Sequence, residues 1–186
     1  MNPILQAAAE IDCFCTERGL QFCIIGGLAV LRWGQPRLTR DVDLTIVAGF
    51  GTEQSVIDPL LEQFDMRLDD GRAFALRYRV LLLRATNTVP IDIALGALPF
   101  EERAAHRATR WAIQDDLAVL TCGPEDLVVH KVFAGRDQDW LDVAGVIERN
   151  GDTLDRQLIR SELAPLLELK GATHQLARLD ELFAQR

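Results

Sequence analysis

Two aspartates spaced two apart in an apolar run, Asp41-Val42-Asp43-Leu44, follow a Gly26-Gly27 pair across thirteen intervening residues. A third, Asp92, stands between isoleucines in Pro90-Ile91-Asp92-Ile93. On a strand, residues two apart share a face, so Asp41 and Asp43 project together. Like charges a few ångströms apart repel unless a cation lies between them. Hard divalent ions such as Mg²⁺ are held by one or two carboxylates together with substrate phosphates, and the pair reads as such a seat. Asp92, on a strand that can lie beside the first, is the third ligand. Three acids on one sheet face can hold two ions roughly 3.5–4 Å apart, an arrangement that activates an attacking oxygen and stabilises a leaving one in phosphoryl transfer. Taken alone, the acids fit strand-edge and turn charges equally well. Gly26-Gly27 supplies the other half: at a strand-to-helix turn, backbone N–H groups and the positive helix end can approach a phosphate with no Cβ in the way. Neither the dinucleotide G-x-G-x-x-G nor the Walker G-x-x-x-x-G-K is present.

The elements that position these residues follow from periodicity. Ile4, Leu5, Ala8, Ile11, Phe14 and Cys15 have helical spacing, with Gly19 as the stop. Gln21 to Ile25 reads as a strand, Leu28 to Trp33 as a short helix ended by Gly34, and Gln35 to Arg40 as a loop. Asp41 to Val47 then alternates as a strand. Thr52 to Phe64 is a helix entered through Thr52 and disturbed at Pro59. Ala73 to Ala85 is apolar and rich in β-formers and is expected as one or two strands. Val89 to Leu95 is a strand ended by Gly96, and Pro99 to Ala108 a helix. Leu117 to Leu120 is a short apolar run ahead of Pro124, which suits a helix's first turn. Beyond it lie helices over Pro124 to Ala134, Asp137 to Arg149, Leu154 to Leu169 and Thr173 to Phe183. The expected class is α+β: a mixed sheet with flanking helices over residues 1–110, then a helical segment over 111–186 packed on it.

Composition narrows the classes. The 186 residues are 48% hydrophobic and 26% charged. Those proportions belong to an ordinary globular chain. No apolar run approaches the roughly 20 residues of a membrane span. The N-terminus has no signal-peptide pattern, since Glu10, Asp12 and Glu17 interrupt it. Cys13, Cys15, Cys23 and Cys122 form no zinc spacing, which fits free thiols and a cytoplasmic location. The net charge of −8 argues against a broad nucleic-acid surface. It is unevenly spread: Arg72 to Arg110 carries seven arginines against three acids, whereas Trp111 to Arg186 has fourteen acids against eight bases. An anion-facing patch and a solvated arginine face both fit the first stretch. His106 and His174 are lone histidines with no role assigned, while His130, next to Lys131, fits packing and contact with a nucleotide alike; Trp33, Trp111 and Trp140 sit in no aromatic-basic cluster, and no Gly-x-Ser-x-Gly supports serine hydrolysis.

Ile25-Gly26-Gly27, thirteen residues, Asp41-Val42-Asp43-Leu44 and the later Asp92 resemble the signature of the DNA polymerase β-like nucleotidyltransferase superfamily. Arg37-Leu38-Thr39-Arg40-Asp41 is similar to the Arg-x-Thr-x-Asp lead-in of its small bacterial members, and the resemblance covers Phe22 to Leu95. The stretch from Gly123 to Val143 is similar to the Glu-Asp-Leu…Lys-x-x-Ala…Arg…Asp-x-x-Asp segment of AbiEii-type nucleotidyltransferases, the toxin halves of certain bacterial toxin–antitoxin pairs. The resemblance implies that Asp41, Asp43 and Asp92 are the catalytic metal ligands. It likewise gives Gly26, Gly27, Arg37, Thr39 and Lys131 to nucleotide and phosphate binding, with Asp139 and Asp142 as the acidic pair accompanying Lys131. The chain is shorter than typical AbiEii toxins.

The expected reaction is transfer of a nucleoside monophosphate from an NTP to an acceptor hydroxyl, with pyrophosphate released and two Mg²⁺ ions, or Mn²⁺, as cofactor. The resemblance implies tRNA or other RNA as acceptor, with a cognate antitoxin as partner. Minimal relatives that modify an aminoglycoside-like antibiotic or a partner protein share the first motif. Two rivals stand beside this: a nonenzymatic nucleotide-binding, antitoxin-like module, and a metal-dependent glycosyltransferase, whose Asp-x-Asp gives no reason for the glycine pair.

Overall fold

The computed structural model describes residues 2–114 and 117–185. The chain divides into two compact units, Met1–Leu28 with Leu38–Cys122, and Ala29–Arg37 with Gly123–Arg186.

In the first unit the chain runs α1 (Pro3–Glu17), β1 (Phe22–Ile24), the start of α2 (Gly26–Trp33), β2 (Val42–Val47), α3 (Glu53–Gln63), β3 (Asp65–Met66) and α4 (Gly71–Tyr78). It continues through β4 (Val80–Arg84), β5 (Pro90–Gly96), α5 (Pro99–Arg107), β6 (Thr109–Gln114) and β7 (Leu117–Thr121). Among the described residues the strands form one seven-stranded sheet in the order β3-β4-β5-β2-β1-β7-β6. It is mixed: β2–β5 and β1–β7 pair in parallel and the other neighbours antiparallel. This is the expected α+β class.

The local chemistry explains the elements. Helix α1 opens at Pro3, with Asn2 Oδ1 accepting from the Ile4 N–H at 2.9 Å. It stops at Gly19, whose φ of +63° only glycine adopts freely. In β2 and β5, Val42, Leu44, Ile91 and Ile93 are fully buried, whereas Asp43, Asp92 and Ala94 between them stay half-buried. That alternation sends one face of the central sheet into the core and leaves the other for the acids.

Two expectations need correction. Ala73 to Ala85 is not all strand: it holds most of helix α4 and then β4. The break falls at Arg79, which sits in the left-handed region (φ 57°) and caps α4 through its backbone N–H to the Ala75 carbonyl at 2.8 Å. Its guanidinium fixes that turn by donating to the Leu95 and Gly49 carbonyls, both at 2.8 Å, and to Glu53. Thr52 precedes α3 but does not cap it; its hydroxyl donates to the Ala48 carbonyl. Strands β3 and β6 carry no sequence signal, because β3 is two exposed residues long and β6 is open to solvent along most of its length.

The second unit contains the end of α2, then α6 (Pro124–Ala134), α7 (Asp137–Asn150), α8 (Arg156–Lys170) and α9 (His174–Ala184). These match the four expected helices to within a residue or two at each end. Gly135, with a φ of +73°, and Gly171, with a φ of +69°, terminate α6 and α8. Both occupy the left-handed position in which helices commonly end on glycine. Asp155 caps α8 by accepting from the Leu158 N–H at 2.9 Å. Leu127, Val128, Val143, Val146, Ile159 and Leu163 are fully buried and form the unit's core. Among the described residues no helix is long and apolar enough to cross a membrane.

Candidate active site

The parallel register of β2 on β5 sets Asp43 directly opposite Asp92. Both therefore leave the sheet on the same face, side by side. Asp41 precedes β2 by one residue and joins them: one oxygen from each carboxylate lies within 4.8 Å of the others, and all three residues are half-buried. Spacing along one strand accounts for the first pair, and strand register for the third member.

The glycines abut this cluster. Gly26 follows β1 with φ +61°, and a Cβ placed there would stand 2.0 Å from Asp43 Oδ2 and 2.6 Å from Asp43 Cβ. A Cβ on Gly27 would stand 2.3 Å from Thr39 Oγ1. The turn thus lies flush against the Asp43 carboxylate and the Thr39 side chain, a packing that only glycine permits. The Ile25 N–H donates to the Asp43 carbonyl at 2.9 Å, which locks the turn to β2. The Thr39 hydroxyl lies 3.2 Å from both the carbonyl and the Oδ1 of Asp41 and orients it from the other side. Because α2 begins at Gly26, its partial positive end meets the acids.

One participant has no motif to announce it. Arg67, just past β3, forms an ion pair with Asp92. Its own N–H donates to the Leu82 carbonyl at 2.9 Å, and Leu82 is the β4 residue opposite Asp92. The arginine therefore reaches over β4 from the sheet edge. Burial pushes the Asp92 carboxyl above its ordinary pKa; Arg67 opposes that shift and the nearby Asp41 charge adds to it. In residues 63–70 Arg67 is a lone base among acids, with no spacing to single it out.

The donor set suits a hard divalent cation. All three side chains offer carboxylate oxygens, they converge, and their charges repel unless something positive is shared among them. Asp41, Asp43 and Asp92 therefore fit Mg²⁺ or Mn²⁺.

The second unit holds the remaining sequence-derived residues in a cluster of its own. Lys131 is buried at 6% exposure, with its Nζ 3.1 Å from Asp139 Oδ1 and 2.8 Å from Asp142 Oδ2. Arg37 grips Asp142 with two arms, Nε to Oδ1 at 2.8 Å and Nη2 to Oδ2 at 2.9 Å. Arg136 holds Asp139 through Nε at 2.7 Å, Nη2 at 3.1 Å and its backbone N–H at 3.1 Å. Charges alternate in sign across Arg37, Asp142, Lys131, Asp139 and Arg136. Burial alone would raise both aspartates' pKa values, but the hydrogen bonds from Arg37 and Lys131 to Asp142, and from Arg136 and Lys131 to Asp139, outweigh it and hold both below the ordinary value.

Comparison with known proteins adds a family match and a likeness of fold. Residues 3–150 match the family described as nucleotidyltransferase of unknown function (DUF6036). Curated proteins yield no match. Among solved structures, an antigenic nucleotidyltransferase-like protein from Paracoccidioides brasiliensis is similar with a TM-score of 0.55 at 16% identity, over 98% of this chain and 93% of that one. The antibiotic-resistance factor ANT(2'')-Ia is similar with a TM-score of 0.56 at 15% identity, over 94% of this chain and 96% of that one. At these identities the likeness is one of fold.

Proposed function

This chain belongs to the DUF6036 nucleotidyltransferase family, and on that premise we propose that it transfers a nucleoside monophosphate from an NTP to a hydroxyl of a small-molecule acceptor. The observation that carries the reading is the convergence of Asp41, Asp43 and Asp92 against the Gly26 turn. Asp41, Asp43 and Asp92 would hold the divalent ion or ions, Mg²⁺ or Mn²⁺, whose charge when bound offsets that of the triphosphate and acidifies the acceptor hydroxyl. The backbone N–H groups at Gly26 and Gly27 and the start of α2 receive phosphate oxygens, drawn by the partial positive charge of the helix end. Thr39 keeps Asp41 aimed, and the Ile25 N–H keeps Asp43 in register with the turn. The acceptor hydroxyl gives its proton to solvent as its oxygen attacks the α-phosphorus in line, the bond to the bridging oxygen breaks, and pyrophosphate departs. Lys131, Asp139 and Asp142 enter as the framework of the second unit, their charges spent on one another and on Arg37 and Arg136.

Two observations support a small acceptor. The net charge of −8 opposes a polyanion. The fold is also that of an antibiotic-resistance factor along 94% of the chain. An RNA acceptor of the AbiEii type is the second reading, favoured by the arginines between Arg72 and Arg110. Three of these, Arg72, Arg79 and Arg110, are paired with Asp58, Glu53 and Asp12. The test is to incubate the protein with each α-labelled NTP and Mg²⁺ against hydroxyl-bearing antibiotics and, separately, total tRNA. Label on a small molecule, lost in Asp43→Asn, is expected. Label on tRNA replaces the first reading by the second. Neither label nor pyrophosphate with any acceptor overturns both.

A further inference from the structure

We propose that Arg67 is the resident counter-cation of Asp92, a positioning residue that holds this acid when no metal is bound and competes with the divalent ion for it, so that the ion is taken up weakly until nucleotide phosphates accompany it. The inference rests on the reading of Asp41, Asp43 and Asp92 as a divalent site and assigns a role to a residue outside that set.

The geometry supports it in three ways. First, Arg67 is anchored independently of the acid it serves. Its backbone N–H is tied to the Leu82 carbonyl, so its side chain starts from a fixed point on the far side of β4, two strand positions from Asp92, and must cross Leu82, which faces the same side of the sheet. Second, the hold is partial. One arm of the guanidinium, Nη2, bonds Asp92 Oδ1, while Nε is buried and has no hydrogen-bond partner. A guanidinium offers five donors in a fork that normally takes a carboxylate with two of them, so a one-armed grip with a stranded Nε is readily exchanged. Third, the charge is needed. Three half-buried carboxylates within 4.8 Å repel one another, and among the described residues Arg67 is the cation paired with Asp92. Its side chain is only 21% exposed. Solvent ions therefore screen it less than they would a surface arginine.

A divalent ion entering the cluster meets this positive charge across Asp92. A charge product of two at about 6 Å in a water-like dielectric corresponds to about a tenfold weakening of metal affinity. The triphosphate brings negative charge with it and offsets that opposition. Metal binding and nucleotide binding are thereby coupled through one side chain, and free ion is disfavoured relative to ion carried in with the donor.

The experiment measures Mn²⁺ binding to the whole protein without nucleotide, by electron paramagnetic resonance of the free ion and by calorimetry, in wild type, Arg67→Gln, Arg67→Lys and Asp43→Asn. Arg67→Gln is expected to bind Mn²⁺ about tenfold more tightly than wild type, and Arg67→Lys, which keeps the charge, within about threefold of it. Arg67→Gln is also expected to melt at a lower temperature than wild type without metal, and to regain more of that loss with Mn²⁺. Mn²⁺ binding that Asp43→Asn abolishes but Arg67→Gln leaves unchanged or weakens overturns the inference alone. If neither wild type nor Arg67→Gln binds Mn²⁺ in an Asp43-dependent way, the functional reading falls and the inference with it.

Discussion

Replacing Gly26 by alanine adds a single methyl group, yet the structure predicts a large effect. The added Cβ would meet Asp43 Oδ2 at 2.0 Å, Cγ at 2.5 Å and Cβ at 2.6 Å. Turning the Asp43 side chain clears the first two atoms. It cannot clear the third, which is fixed to the backbone of β2. Restoring an ordinary carbon–carbon contact of about 3.5 Å therefore parts the turn from the strand by about 1 Å. Alanine must also hold a φ of +61°. The left-handed region costs it about 1–2 kcal/mol, and forcing the contact adds about 1–2 kcal/mol more. A loss of about 2–4 kcal/mol lowers the melting temperature of a chain this size by roughly 5–15 °C. Because a displacement of about 1 Å at reacting groups costs about a hundredfold in rate, transfer should fall by about that factor in molecules that still fold. Calorimetric melting, Mn²⁺ titration and pyrophosphate release read the three consequences separately. Gly27→Ala is the internal comparison: its Cβ meets Thr39, which lies in a loop that can give, so the rate loss should be nearer tenfold. A Gly26→Ala protein that melts within about 1 °C of wild type and turns over normally would refute the argument that the turn must lie flush on Asp43.

The other predictions concern stability. Lys131→Met leaves the buried carboxylates of Asp139 and Asp142 short of a cation and should cost about 3–5 kcal/mol in urea unfolding; a loss below about 1 kcal/mol would show that Arg37 and Arg136 alone suffice. Asp139 and Asp142 have depressed folded pKa values, so their stabilisation is complete above the unfolded carboxylate value of about 4 and is lost as pH falls through the folded value. Urea midpoints measured across the acid range should therefore drop most steeply below about pH 4, and Asp142→Asn should flatten that limb; equal slopes would count against it. Thr45 is 1% exposed with a hydroxyl that has no hydrogen-bond partner. Thr45→Val should therefore raise stability by about 1 kcal/mol, and a lowered melting temperature would reveal a partner for it.

Much of the candidate site is legible in the sequence, for physical reasons. The turn between β1 and α2 needs glycines because a carboxylate lies against it, and the carboxylates alternate with buried Val42 and Leu44 because strand periodicity separates the two faces. Each constraint acts over a few residues and leaves a local mark. Arg67 leaves none, since it reaches Asp92 only after β3, β4 and β5 pair, and pairing between distant segments has no local spacing. Ala73 to Ala85 misleads for the opposite reason. Its apolar content suits helix and strand alike, and the switch at Arg79 depends on Gly49, Glu53 and Leu95, which lie far away in sequence. The helices of the second unit were readable from their glycine stops. The acidic pair beside Lys131 is legible through the resemblance; the grip of Arg37 on Asp142 and of Arg136 on Asp139 is not, because only the fold brings those guanidinium groups to the acids.

The parallel alignment of β2 with β5 has a bearing on how such an enzyme can diversify. Asp43 and Asp92 are held abreast by main-chain pairing, so residues 48–89 between them contribute to the sheet but do not set the separation of the two acids. That stretch can be lengthened, shortened or exchanged as a cassette, provided both ends return to the same ladder. Arg67 rides on the cassette, whereas the acids do not. A lineage or a designer could thus exchange the guanidinium beside Asp92 while leaving the three carboxylates where they were.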